Sequence, residues 1–168
     1  MKKTLLFTIF IFIFLTSCKK NSPVAPVNTL SATIDGVDES FNTNVFAQNG
    51  TGVMLNSDLL VMGTNGSATG SDVLSITIDI NKTIAAGTYT NAPTSTDGFI
   101  SILYNQGALN LMNPAMYKSD VNGAYLTSVK IVSISNTNVQ GTFTAQLVYA
   151  DGKTIKSVTN GKFNINLK

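Results

Sequence analysis

The side chains able to do covalent or acid–base chemistry are few. Cys18 is the only cysteine, and all eleven cationic side chains are lysines, with no arginine and no histidine. A Ser-His-Asp or Cys-His site is therefore excluded, as is a zinc site built on imidazole. Glu39 is the only glutamate, and three of the eight aspartates (Asp35, Asp97 and Asp151) sit in Asx-Gly pairs, where turn geometry explains them. Two carboxylates facing each other across a substrate, as a glycoside hydrolase needs, are not written into this pattern. A Ser-Lys nucleophile would need a desolvated lysine, whereas Lys130 falls at the polar phase of a strand. Gly152-Lys153-Thr154 ends like a phosphate-binding loop. Its earlier glycine would fall at Leu147 and no helical pattern follows, so a hairpin turn is expected. Asp35, Asp38 and Glu39 cluster near one turn without the spacing of a calcium loop. Three Asn-X-Ser/Thr triplets (Asn49, Asn65 and Asn81) are read as chance in an Asn/Thr-rich chain. No catalytic residue, no cofactor and no metal site is expected.

The chemistry that remains belongs to Cys18. Lys2 and Lys3 precede an apolar run from Leu5 to Leu15, interrupted by Thr8. That run is too short for a bilayer span of about 20 residues and fits the apolar region of an export signal. It ends in Leu15-Thr16-Ser17-Cys18, which resembles the bacterial lipobox. The resemblance implies cleavage after residue 17 and acylation of Cys18, giving a lipoprotein with its membrane partner held through that residue. Each buried methylene contributes on the order of 0.8 kcal/mol, so two or three acyl chains hold a protein persistently. Lys19 after the cysteine, in place of Asp, favours the outer membrane. The absence of acidic residues there leans toward the periplasmic face over the cell surface.

Without Lys2 and Lys3 the chain has nine lysines against nine acids. A neutral domain without arginine carries no electrostatic footprint for nucleic acid. Residues 18–28 read as the lipidated cysteine and a tether, with Pro23 and Pro26 favouring extended geometry. Residues 29–168 are then one domain, large enough to bury about two-thirds of its unfolded surface.

From Cys18 onward, Thr, Ser and Asn make up 50 of 151 residues, a polarity that would fit disorder but for its period. Leu74, Ile76, Ile78 and Ile80 alternate with polar residues, as do Val139 to Tyr149 and Phe163 to Leu167. Period two with one apolar face marks antiparallel strands over a core. Further strands are expected at Ala32–Ile34, Phe41–Ala47, Leu59–Thr64, Phe99–Tyr104, Leu126–Ile134 and Thr154–Thr159. Seven Asx-Gly pairs supply residues tolerant of positive φ. Asp151-Gly152 and Asn160-Gly161 would separate the last three strands of a meander. The expectation is an all-β fold, an antiparallel β-sandwich or flattened β-barrel of about nine strands.

Ala32-Thr33-Ile34-Asp35-Gly36, Ile84 to Thr90, Gly141-Thr142-Phe143 and Thr159 to Ile165 together resemble an uncharacterised family of small Bacteroidota lipoproteins. That resemblance implies an all-β fold and supplies no site residues. Ala108 to Tyr117 is the one stretch that resists a strand reading. Leu109, Leu111, Met112, Met116 and Tyr117 are too apolar for a solvated loop, and Pro114 breaks helix and central strand alike. The plain reading is a short edge strand and a loop over one end of the core. The sharper one is a Met-rich lid on a ligand cavity. The functional expectation is an outer-membrane lipoprotein whose domain binds or interacts without catalysis. Its alternatives are a lipocalin-like carrier of an apolar ligand and an accessory glycan-binding protein. No tryptophan is present, and Tyr89, Tyr104, Tyr125 and Tyr149 lie within or beside strands where core packing explains them.

Overall fold

A computed structural model describes residues 27–50, 57–66, 71–91, 98–107, 115–120 and 124–168. Cys18 and the tether up to residue 26 lie outside the described residues. The fold is all-β. Its strands are β1 (Thr29–Ile34), β2 (Val37–Ser40), β3 (Thr43–Gly50), β4 (Ser57–Thr64), β5 (Val73–Ile80), β6 (Gly87–Thr90), β7 (Gly98–Gln106), β8 (Ala115–Ser119), β9 (Thr127–Ile134), β10 (Asn138–Tyr149) and β11 (Ile155–Asn166). Nine of them form one curled antiparallel path, β2-β1-β11-β10-β8-β7-β5-β4-β3, and β9 and β6 branch from β10.

The alternation in the sequence becomes the inside and outside of this half-barrel. Leu74, Ile76 and Ile78 of β5, Val139, Phe143 and Leu147 of β10, and Phe163 and Ile165 of β11 are all buried. Leu30, Leu59, Val61, Ile102, Val129 and Ile131 join them from the neighbouring strands. Each such Leu, Ile or Phe removed from water stabilises the fold by roughly 1.5–3 kcal/mol.

The nine expected strands fall on eight observed ones, two of them on β11, and three more appear. β2 and β6 are four residues long and mostly exposed. They carry no alternation to read. β8 begins within the Ala108–Tyr117 stretch, but the edge position expected there is corrected: β8 is paired on both sides, with β7 and β10. The expected closing meander is corrected. Asp151-Gly152 does lie between strands, with Gly152 at φ 69°. Asn160-Gly161, however, lies inside the single twelve-residue β11. There the register shifts against both neighbours, between Phe143 and Ala145 on β10 and between Ser31 and Thr33 on β1. Asn160 has φ 51°. The pair forms a β-bulge, which demands the same left-handed backbone as a turn but bends the strand instead of reversing it. Asp35-Gly36, with both φ positive, is the β1–β2 turn.

The curl nearly closes. Ala47 of β3 forms a parallel bridge with Leu167, and the Lys168 amide donates to the Ala47 carbonyl at 3.0 Å. Phe41 N–H donates to the Leu30 carbonyl at 2.8 Å, and the Leu30 amide donates to Asn42 Oδ1 at 2.8 Å.

Candidate binding site at the fork of the sheet

β10 is long enough to serve two partners on one edge. Val139 to Ala145 pair with β9, and Leu147 to Tyr149 pair with β8. The sheet forks at residue 146, and backbone groups near the fork lose their ladder partners. Such groups must be satisfied when buried, and side chains do it here. Ser119, almost fully buried, accepts from the Ile102 amide at 3.0 Å. Asn91, also buried, accepts from the Thr127 amide at 2.8 Å. Its amide nitrogen donates to the carbonyls of Asp120 and Tyr125. Gln146 N–H donates to the Leu126 carbonyl at 3.2 Å.

The divergence of β8 from β9 opens a cleft of about 580 Å³ on the outer surface. Met116, Val148 and Tyr125 give it apolar walls, and Ser101, Lys118 and Asp120 give it polar points. Its volume is in the range of small-ligand sites. An ammonium, a carboxylate and hydroxyls around an apolar floor suit one amphipathic group, such as a peptide side chain or a sugar ring. Met116 is 45 % exposed and Leu126, beside the fork, 77 %.

Behind the cleft, on the inner side of the same strands, three tyrosines stand in register. Tyr104 of β7 pairs with Tyr117 of β8, which pairs with Tyr149 of β10. Their ring centroids are 6.2 and 5.3 Å apart. Lys156 lies over them, its Nζ 4.9 Å from the Tyr117 centroid and 5.9 Å from that of Tyr104. The same Nζ is 3.2 Å from Asp35 Oδ2. The Tyr104 hydroxyl donates to Asp72 Oδ2. Burial first, then that hydrogen bond and the nearby carboxylates, push the phenol's pKa far above its usual value. Tyr104 stays protonated and acts as a fixed donor. In the β10–β11 turn, Asp151 accepts from the Thr154 hydroxyl at 2.6 Å and from the Thr154 and Lys153 amides. These bonds hold its carboxyl below the usual range.

The residues singled out from sequence are dispersed. Of the suggested lid, Leu109, Leu111 and Met112 lie outside the described residues. Met116 lines the cleft, whereas Tyr117, next in the strand, belongs to the tyrosine row inside. Asp35 is engaged by Lys156 and by the Ser157 amide at 2.8 Å, and Asp38 accepts from the Thr33 hydroxyl at 2.6 Å. Glu39 lies 3.4 Å from Asn65 Nδ2. Among the described residues no group of three or more acidic side chains gathers. Lys153-Thr154 sits in the hairpin turn expected for it. Sequence reasoning missed Asn91, Ser119 and Lys156, whose partners lie 17 to 121 positions away. No local motif announces them. No family model, no curated protein and no solved structure matches the chain.

Proposed function

We propose that this protein is a lipid-anchored outer-membrane protein whose β-domain binds a partner through the cleft at the fork and performs no reaction of its own. The observation that carries the reading is the placement of the cleft relative to the chain's point of entry. The chain enters β1 at Thr29, beside Asn164 of β11. The cleft wall at Val148 stands beside Ile155, nine residues back along β11. At ~3.3 Å per residue that is about 30 Å. An anchor at Cys18 would therefore hold one end of the domain toward the lipid and leave the cleft at the other. The inward positions of the strands are occupied by Leu, Ile, Val and Phe from Leu30 to Ile165, which favours binding on the outside over carriage of an apolar ligand within.

Two measurements test the reading. Cys18→Ala in the full chain is expected to abolish incorporation of labelled fatty acid and the normal removal of residues 1–17. An acylated, membrane-bound variant would refute the anchor. In a methyl-labelled sample titrated with small amphipathic fragments, shifts are expected at Met116 and Val148. Shifts confined to inward methyls such as Ile76 and Leu74 would point to an interior site instead.

A further inference from the structure

We propose that Asp58 and Asp79 form a calcium-binding site on the outer face of β4 and β5. The two residues are direct register partners on adjacent antiparallel strands. Leu59, Ile78 and Ile80 beside them are buried inward, so both carboxylates share the outward face, with Cβ atoms about 4.5–5.5 Å apart. Like charges at such positions repel. Asp79 is nonetheless only 4 % exposed, and its Oδ1 has no hydrogen-bond partner. A buried carboxylate oxygen left without a donor is costly, and it is tolerated where something else supplies positive charge.

Among the described residues no side chain supplies it. The outward row continues to Gly50 on β3 and Phe99 on β7. The adjacent outward row is Gln48, Leu60, Thr77 and Ser101. Neither contains a lysine. Among the described residues the ion pair is Lys156 with Asp35, on the inner side. Gly50, opposite Asp58, has no side chain on that flank, where a Cβ would already touch Asp58 Oδ1 at 3.6 Å. Two carboxylates offer up to four oxygens, and water completes the six to eight that Ca²⁺ takes at roughly 2.3–2.6 Å. The all-oxygen donor set and the tolerance of Ca²⁺ for irregular geometry favour it over zinc or copper, which prefer nitrogen and sulfur. With two protein carboxylates the affinity falls in the weak class of extracellular modules, a dissociation constant on the order of 10⁻⁴–10⁻³ M. This site lies on different strands from the cleft wall of β8 and β10 and does not depend on the function proposed above.

The test is thermal unfolding of the full chain in calcium chloride and in EDTA, with sodium chloride matching the ionic strength. At a calcium concentration about 100 times the dissociation constant, the midpoint is expected to rise by roughly 5–10 °C over EDTA. Asp79→Asn and Asp58→Asn should each abolish the rise. Should Asp79→Asn fail to fold, Asp58→Asn, at a half-buried position, decides alone. An equal midpoint in calcium and EDTA overturns the proposal. So does an equal rise in sodium chloride, or a calcium response that survives Asp58→Asn.

Discussion

Gly141 and Gly161 lack side chains because a phenyl ring takes the space. Gly141 pairs with Phe163, and Phe143 pairs with Gly161. Each ring lies over the glycine opposite it, and the two rings stack on one another at 6.3 Å. A Cβ on Gly141 would come within 2.6 Å of the Lys130 carbonyl oxygen and closer still to the Phe163 ring. Gly141→Ala is therefore expected to destabilise the domain by about 1–3 kcal/mol through overpacking. Gly87→Ala, with nothing within 4 Å, should stay within about 0.5 kcal/mol of the parent. Urea midpoints measure both, and equal costs would refute the ring-over-glycine account. The inward phase of Gly141, Phe143 and Phe163 is legible in the sequence, because alternation needs only neighbours. Asn91 at the fork and the facing of Asp58 with Asp79 are not legible. Both depend on the register between separate strands, which a single strand's pattern does not encode.

At the scale of elements, β11 is the strand on which the sheet turns. It is flanked by β1 and β10, and its bulge at Asn160-Gly161 shifts the register against both. An extra residue raises local twist and bends the strand, and that bend helps the sheet to curl. Asn160 holds φ 51°, a conformation costing a β-branched residue about 1–2 kcal/mol. Asn160→Val is expected to lose at least that much stability, while Asn160→Gly loses much less. Both remove the side-chain bond to Thr33 Oγ1, so the comparison isolates the backbone. Similar losses would mean that the bulge does not set the cost. An Asx-Gly pair serves a hairpin and a bulge by the same left-handed geometry, so the sequence locates the irregularity without saying whether the chain reverses. The short strands β2 and β6 escape a sequence reading for a different reason. They cover little of the core, and a strand that buries few apolar groups leaves little period to detect.

At the scale of the molecule, the half-barrel is drawn together where β3 meets the residues after β11. Deleting Leu167 and Lys168 removes the parallel bridge and the Lys168–Ala47 hydrogen bond. Amide exchange in β3 should then quicken by roughly fivefold or more, the effect of about 1 kcal/mol of lost bonding. Exchange in β10 should be unchanged. Unaltered protection of β3 would show that the β3–β4 pairing alone holds that edge. The all-β class and the single core are visible in the sequence, whereas the forked order of strands is not, since topology follows from pairings no periodicity records. One of those pairings also sets a timetable. β1 lies between β2 and β11, and Asn160 and Thr33, in contact across that seam, are 127 positions apart. The β1–β2 hairpin can form as soon as it exists, but Leu30, Ala32 and Ile34 find cover only when the final strand arrives. Non-local closure of this kind is slow, in the range of milliseconds to seconds. During synthesis the earliest strand of the domain thus waits for the latest, and its apolar side chains stay uncovered until β11 is free to pair.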